Sequence, residues 1–361
     1  AMKAIQQLRQ LGQSLWLDNI TRDMLDDGTL RRYIDELSVT GLTSNPTIFN
    51  AAIGEGQAYD EDIREKAHAG VSGEDLFIQL ALDDLRRAAD LFRPAFKASQ
   101  QLDGWVSMEV SPLLAQDTEG SIRAARDIHG QAERPNLYVK IPGTPEGVPA
   151  IEESIFAGIP INVTLLFSRE QYVAAAEAYM RGIERRIEAG LDPRVGSVAS
   201  LFVSRWDVAV KDKVPGEMHN RLGIAISGRV YKAYRDLLDS ERWQALAARG
   251  ARPQRLLWAS TGTKDPKAPD TLYVEALAAP DTIDTMPDKT LLALAGHGAV
   301  KEAMRTDGVD AESVLAQFAG ASIDINALAR QLQEEGAAAF VKSWQELLQR
   351  IAGKSAQLTG A

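Results

Sequence analysis

Eight short apolar runs, separated by longer stretches of helical period, constrain the fold of this 361-residue chain more than any other feature. Runs this short and apolar are typical of strands buried on both faces of a parallel sheet. Strands that alternate with helices predict an α/β fold, and eight of them predict one (β/α)8 TIM barrel. An open doubly wound sheet is the alternative, because it needs the same alternation. The predicted strands are 14–18, 39–43, 105–110, 137–141, 161–166, 195–203, 256–260 and 282–285.

The segments between the strands predict one domain over residues 1–361, since no linker rich in Gly, Pro or Ser divides them. Ser168 and Gln171 form a capping box that starts a helix directly after the fifth run, and Gly190 ends that helix. A helical insertion is expected at about 50–102 and a C-terminal helical segment at about 289–361. Acidic pairs in the insertion, such as Asp83-Asp84, are interpreted as solvated helix faces.

Composition excludes several classes of function. Lys and Arg number 40 against 50 Asp and Glu, which argues against a general nucleic-acid or membrane-surface binder but leaves room for a local phosphate pocket. The absence of cysteine excludes disulfides, thiolate catalysis and Cys-ligated metals, and the four histidines show no metal-ligand spacing. No metal site is therefore expected. No apolar run of about 18 residues occurs, and no signal-peptide core is seen, so we expect a cytoplasmic protein.

Lys140 lies in the middle of the fourth apolar run, L-Y-V-K-I. Lysine is almost never fully buried unless it is paired. Burial lowers the pKa of an ammonium group from about 10.4, by up to roughly 3–5 units. The neutral amine that results attacks carbonyl groups to form a Schiff base. The alternative is an edge-strand lysine that reaches water past Pro142.

Polar residues in the later part of the runs are the candidate site, because barrel enzymes place their chemistry at the C-terminal ends of the strands. Taken singly, each has a structural alternative: Asp18 a helix cap, Asn45 turn chemistry before Pro46, and Glu109 an ion pair with an arginine. Together they supply a nucleophile, an acid/base pair and groups that bind a polyol. The set is Asp18, Asn45, Glu109, Lys140, Asn162, Thr164, Ser200 and Ser260.

Two cations are candidates for an anionic end of the substrate. Arg205 stands at the exit of the sixth run, and Lys264 ends the S-T-G-T-K stretch after the seventh. Barrels often bind phosphate with loops late in the chain. The S-T-G-T-K stretch is not a Walker loop, since the first glycine and its spacing are missing. An exposed loop lysine is the alternative for Lys264.

Several segments in register resemble the transaldolase family over most of the chain. Residues 41–49 read G-L-T-S-N-P-T-I-F, and residues 136–147 read N-L-Y-V-K-I-P-G-T-P-E-G, which is similar to the family's Schiff-base signature. Residues 103–110, 161–168 and 200–205 resemble the motifs of the third, fifth and sixth strands. Several motifs in the same order are more specific than any one of them.

The resemblance implies a (β/α)8 barrel whose fourth strand carries the reactive lysine. It also implies a cofactor-free transfer of a dihydroxyacetone unit in the pentose phosphate pathway. The donor would be sedoheptulose 7-phosphate or fructose 6-phosphate, and the acceptor glyceraldehyde 3-phosphate or erythrose 4-phosphate. The expected partners are these sugar phosphates, with neither nucleic acid nor membrane, and the chain would be a monomer or a homodimer.

The resemblance also assigns the catalytic roles. Lys140 would condense with the C2 ketone, and Asp18 would take the C4 hydroxyl proton and later return a proton to the acceptor aldehyde. Glu109 and Thr164 would hold a water that carries protons during imine formation.

Binding roles follow in the same way. Asn45, Asn162 and Ser200 would grip the three-carbon unit, and Arg205 would bind the phosphate. The family often has an arginine where this chain has Lys264, which supplies the charge without the bidentate fork of a guanidinium. Two other functions stay open: an aldolase that releases the three-carbon unit to water, and a catalytically silent barrel that only binds a sugar phosphate.

Overall fold

Eight parallel strands form one sheet in the computed structural model, which describes residues 3–360. The hydrogen-bonded order is β2-β1-β8-β7-β6-β5-β4-β3, and a single bridge between Gly41 and Trp105 joins the two ends. The sheet is thus a nearly closed barrel, as predicted, and not an open doubly wound sheet. The strands are β1 Gln13–Asp18, β2 Val39–Thr43, β3 Val106–Glu109, β4 Leu137–Pro142, β5 Ile161–Leu166, β6 Ser197–Phe202, β7 Arg255–Ala259 and β8 Thr282–Met286.

Helices follow the strands and cover the outside of the barrel. All residues of β4, β5 and β6 are buried, which is the reason that their sequences are continuous apolar runs. The helices are α1 Lys3–Leu11, α2 Arg22–Asp26, α3 Thr29–Leu37, α4 Pro46–Gly54, α5 Asp60–His68, α6 Gly73–Ala98, α7 Thr118–Ala132, α8 Gly147–Phe156, α9 Arg169–Glu188, α10 Ser204–Val210, α11 Leu222–Asp239, α12 Glu241–Ala248, α13 Leu272–Ala276, α14 Asp288–His297, α15 Val309–Gly320 and α16 Ile325–Thr359.

The predicted capping box at the start of α9 is confirmed. Ser168 Oγ accepts a hydrogen bond from the Gln171 amide, and the Gln171 side chain accepts from the Ser168 amide. The helix ends at Glu188, and Gly190 follows at a φ of 74°, a left-handed conformation that suits glycine. The reciprocal pair of bonds satisfies two N–H groups that the first turn leaves free.

The interpretation of the acidic pair in the insertion is wrong for Asp84. Its carboxylate is fully buried and accepts from Arg22 Nε (2.8 Å) and from Tyr59 Oη (2.6 Å). The bonds tie α6 to α2 and to the start of α5. Helical periodicity alone does not show this, because both partners come from distant parts of the chain.

The amino-terminal end of the barrel is closed by a polar cluster around Asp103. Its carboxylate accepts from Ser14 Oγ (2.6 Å), Trp16 Nε1 (2.9 Å) and Thr40 Oγ1 (2.9 Å). The guanidinium of Arg255 lies 3.6 Å away. The Asp103 carboxylate is thus fully used by side chains of neighbouring strands, so this cluster contributes stability, and the chemistry of a barrel is expected at the opposite end.

The C-terminal helix α16 runs across the carboxyl-terminal end of the barrel. Its apolar side chains Leu332, Phe340 and Trp344 are buried. Gln333 Nε2 donates to the carbonyl oxygens of Gly143 (2.9 Å) and Leu165 (3.0 Å), at the ends of β4 and β5. In the described part of the chain, none of the helices combines the length and the apolar character needed to span a bilayer.

Candidate active site

A cavity of about 730 Å³ opens at the carboxyl-terminal ends of the strands, where sequence reasoning placed the site. The volume falls within the roughly 300–1,000 Å³ of small-molecule sites. Most of the predicted residues line it, together with residues from α16 such as Leu332, Gly336 and Phe340. The predicted residues in the lining are Asp18, Asn45, Lys140, Thr164, Ser200, Arg205, Ser260 and Lys264.

Lys140 is buried in the middle of the sheet. Its strand β4 lies between β3 and β5, and in register Lys140 is flanked by Glu109 and Asn162. Lys140 Nζ donates to the Ser44 carbonyl oxygen at 2.8 Å. Burial lowers the pKa of Lys140, and the charges of Glu109 and Asp18 oppose this. The edge-strand alternative is therefore wrong, and the amine faces the cavity.

Asp18 ends β1 and lines the same cavity as Lys140. Its Oδ1 accepts from Thr43 Oγ1 (2.8 Å), which lies 2.6 Å from Thr285 Oγ1. Burial raises the pKa of Asp18, while the positive charge of Lys140 lowers it. The capping role belongs to Thr21, whose Oγ1 accepts from the Met24 amide at the start of α2. Asp18 therefore does not cap α2, and its side chain lines the cavity. A carboxyl group with a raised pKa is suited to proton transfer.

Glu109 lines a smaller cavity of about 20 Å³ beside Lys140, together with Thr164. Its Oε2 accepts a long hydrogen bond from Ser44 Oγ (3.3 Å), and within residues 3–360 it makes no ion pair with an arginine. Burial raises the pKa of Glu109, and Lys140 opposes the rise.

The small cavity has the size and the polar atoms that a single water requires. Glu109 Oε1 and Thr164 Oγ1 are buried, and neither atom makes a hydrogen bond with any residue that the structure describes. An unpaired buried polar atom costs about 1–3 kcal/mol, and a space of roughly 10–15 Å³ admits a water. The arrangement therefore suits a water held between the two side chains and next to Lys140.

Asn162 and Ser200 form a pair, of which only Ser200 lines the main cavity. Ser200 Oγ donates to Asn162 Oδ1 (2.8 Å), and Asn162 Nδ2 donates to Ser107 Oγ (3.2 Å). Asn162 is fully buried below the cavity floor. The geometry has Asn162 orienting the Ser200 hydroxyl, and a direct contact of Asn162 with a substrate stays a prediction.

Asn45 has a structural function and also lines the cavity. Its Oδ1 caps α4 by accepting from the Ile48 amide (3.0 Å), with Pro46 at the first helical position. The turn chemistry expected as an alternative is therefore present. The amide nitrogen of Asn45 makes no hydrogen bond within the described part of the chain, which leaves it for a ligand.

Arg205 carries a positive charge with no acidic partner at the cavity wall. Its guanidinium carbon lies 4.9 Å from the ring centroid of Phe202 and 5.7 Å from that of Phe340. Burial lowers the pKa of Arg205, and Asp18 opposes this. Among the residues described, no carboxylate pairs with it. A half-buried guanidinium held between aromatic rings, with its N–H groups unused, favours an anionic ligand.

Lys264 stands on the exposed rim in a loop that is tied to β8. Thr261 Oγ1 donates to Asp284 Oδ1 (2.7 Å) and to the Thr285 carbonyl oxygen (2.9 Å). Ser260 begins the loop at a φ of 57°. Burial raises the pKa of Asp284 to about 8. The loop is thus anchored at its first residues. Lys264 is exposed, as expected for a loop lysine, and it also lines the cavity.

Sequence reasoning missed several residues that contact the site, among them Thr43, Ser44, Thr285 and Phe340. Thr43 and Ser44 directly precede Asn45, and Thr285 closes the eighth run, so the same strand-end argument would have found them. Phe340 comes from α16, more than fifty residues after β8. No feature of the sequence links that helix to the cavity.

The charges around Lys140 predict how it titrates. We expect Lys140 to titrate below its ordinary pKa of 10.5, and Glu109→Gln to lower its pKa further, because the Glu109 carboxylate stabilises the ammonium. NMR of ¹³C-labelled lysine measures both values. Glu334→Gln, at an exposed position of α16, is the matched control and leaves the titration unchanged. A Lys140 pKa of 10.5 or above, or one that Glu109→Gln raises, would contradict the electrostatics described.

The family of this chain is shown by the known proteins that it resembles. The sequence model of the Transaldolase/Fructose-6-phosphate aldolase family matches residues 15–351. The chain is 44% identical to "Transaldolase" of Thermobifida fusca over 365 residues, covering 98% of this chain and 99% of that protein. It is 44% identical to "Transaldolase" of Thiobacillus denitrificans (97% and 100%) and 38% identical to "Transaldolase 2" of a Nostoc species (98% and 98%). The chain belongs to the transaldolase/fructose-6-phosphate aldolase family.

Proposed function

We propose that this chain is a transaldolase, a transferase of the pentose phosphate pathway that works through a Schiff base on Lys140. It moves a dihydroxyacetone unit from sedoheptulose 7-phosphate or fructose 6-phosphate to glyceraldehyde 3-phosphate or erythrose 4-phosphate. The observation that carries the proposal is the buried Lys140 amine, which faces a cavity shared with Asp18 and lies next to Glu109. All relatives named above carry the name transaldolase, and their similarity to this chain extends over nearly their whole length.

The first step joins the substrate to the enzyme. Neutral Lys140 Nζ attacks the C2 carbonyl carbon, the nitrogen gives up one proton and the carbonyl oxygen takes one, and the product is a neutral carbinolamine. A further proton then reaches the hydroxyl group, which leaves as water, and the nitrogen lone pair forms the protonated imine. Glu109 and Thr164 lie beside Lys140, and a water bound between them moves these protons. The raised pKa of Glu109 lets it both give and take a proton.

Cleavage is the work of Asp18. Its carboxylate takes the C4 hydroxyl proton, the C3–C4 bond breaks, and the electron pair flows into the protonated imine to give an enamine. The aldose phosphate leaves. Asp18, which now holds the proton, returns it to the aldehyde oxygen of the acceptor as the new C–C bond forms. Burial raises the pKa of Asp18, which favours its uptake of the C4 hydroxyl proton and keeps that proton on Asp18 until the acceptor binds.

Substrate binding is divided between the two ends of the cavity. Asn45 and Ser200, the latter oriented by Asn162, hold the hydroxyl groups of the three-carbon unit near Lys140. Arg205 binds the phosphate through its free N–H groups, and Lys264 adds a second positive charge at the rim. The distance between Lys140 and the phosphate fixes which carbon meets the amine, so the phosphate positions the reaction.

Product analysis tests the proposed function. With fructose 6-phosphate and erythrose 4-phosphate we expect sedoheptulose 7-phosphate and glyceraldehyde 3-phosphate in equal amounts, because the enamine stays bound to Lys140 until it reacts with an acceptor aldehyde. Lys140→Ala is expected to abolish the reaction, while the matched control Lys267→Ala, at an exposed lysine outside the cavity, keeps it. Free dihydroxyacetone formed at each turnover without acceptor would identify an aldolase instead. Unchanged sugar phosphates despite measurable binding would identify a silent barrel.

The phosphate assignment has its own test. Arg205→Met is expected to raise the KM for fructose 6-phosphate about 10- to 100-fold, since a hydrogen bond to a charged group contributes about 1.5–3 kcal/mol. Lys264→Met has a smaller effect, a few-fold, because the lysine is exposed. Steady-state kinetics with fructose 6-phosphate and with unphosphorylated fructose measure this. Equal losses for both sugars in Arg205→Met would contradict a phosphate role, and Lys267→Met serves as the control.

A further inference from the structure

Gln333 is a buried residue on α16, the C-terminal helix that lies outside the strands of the barrel. Its neighbours Gln331 and Glu334 are exposed, whereas Gln333 is 6% exposed. Its Nε2 donates two hydrogen bonds, to the carbonyl oxygens of Gly143 (2.9 Å) and Leu165 (3.0 Å). Both carbonyls are at strand ends inside the protein, and a buried carbonyl needs a partner. One side chain of α16 therefore holds the ends of β4 and β5 together.

Leu165 has an unusual backbone conformation. Its φ is 60°, in the left-handed region that leucine rarely adopts. The register between β5 and β6 shifts between Val163 and Leu166, so one extra residue is inserted into β5 at this point. Such a bulge bends a strand and redirects the side chains beside it, and a left-handed leucine persists only where its surroundings hold it.

The surroundings that hold the bulge come from α16. The Leu165 carbonyl accepts from Gln333, and its side chain packs against Gly336, where an added Cβ would lie 2.8 Å from Leu165 Cδ2. The Gly143 amide donates to the Thr164 carbonyl oxygen (2.8 Å), which links the same bulge to β4. The bulge thus has a hydrogen bond on each side and a close contact above.

The residue that directly precedes the bulge is Thr164. Its hydroxyl is buried, has no hydrogen-bond partner among the residues described, and belongs to the small cavity that Lys140 and Glu109 share. The direction of that hydroxyl depends on the backbone at Leu165. A relaxed bulge would turn Thr164 away from the cavity, whereas Arg205 on α10 and Ser200 on β6 lie outside the bulged segment.

We propose that Gln333 is a positioning residue for the reaction. By holding the bulge at Leu165, it keeps the Thr164 hydroxyl facing Lys140 and Glu109, where the water-mediated proton transfers of imine formation take place. The inference rests on the proposed function, since it assigns Thr164 a part in that chemistry. It gives α16 a role in the rate of the reaction and not only in covering the cavity.

A double-mutant cycle between Gln333 and Thr164 tests the proposal. Gln333→Met keeps the length of the side chain but removes both donors, and Thr164→Val removes the hydroxyl with little change of shape. Each is expected to lower kcat about 10- to 100-fold, because small misplacements of a catalytic group cost this much. KM for fructose 6-phosphate is expected to stay within about twofold. The double variant is expected to be no slower than the slower single variant, since both changes remove the same function.

The control is Gln345→Leu, at an exposed position of the same helix, where kcat is expected to be unchanged. Losses in kcat that multiply in the double variant, or an unchanged kcat in Gln333→Met, would overturn the proposal. If Gln333→Met does not fold, Gln333→Asn replaces it, because its shorter side chain draws the amide away from both carbonyls, with the same expectation. A wild-type chain that transfers no dihydroxyacetone unit refutes the proposed function itself. A wild-type chain that does so, combined with multiplicative losses, refutes only the role of Gln333.

Discussion

Burial of the Lys140 amine is the constraint on which the rest of the site depends. An ammonium removed from water in the middle of a parallel sheet is costly unless charges or hydrogen bonds compensate. The Ser44 carbonyl accepts from Lys140 Nζ at 2.8 Å, and Glu109 and Asp18 supply negative charge nearby. Burial shifts the amine towards its neutral form while the acids shift it back. Together these opposing effects on the pKa make the neutral, nucleophilic amine accessible while the ammonium form keeps its partners.

Burial also explains the pKa values of the two acids of the site. Because Glu109 and Asp18 lie in an apolar strand layer, burial raises the pKa of each, and Lys140 limits the rise. Three groups that titrate against one another can exchange protons with small changes in free energy, as general acid–base catalysis requires. The opposite end of the barrel shows the contrast. There Asp103 accepts three side-chain hydrogen bonds and lies 3.6 Å from the guanidinium of Arg255, so that cluster contributes stability.

Residues on the strands could be predicted from the sequence, and residues that reach the site from elsewhere could not. Lys140, Asp18 and Thr164 follow from one rule, since strand ends of a barrel meet at one edge and polar residues there need a function. Phe340 and Gln333 come from α16, and only the three-dimensional packing shows where that helix lies. Asp84 was misinterpreted for the same reason, because its partners are distant in sequence. The cytoplasmic location, the single-domain organisation and the choice between monomer and homodimer stay predictions.

The most direct test of the account is chemical trapping of the proposed Schiff base. Incubation with fructose 6-phosphate and borohydride reduces an imine to a stable amine, and peptide mass spectrometry then locates the modified residue. We expect one dihydroxyacetone adduct per chain, on Lys140, and none in Lys140→Ala. A label on another lysine, such as Lys264 at the cavity rim, or no label in a chain that catalyses the transfer, would contradict it.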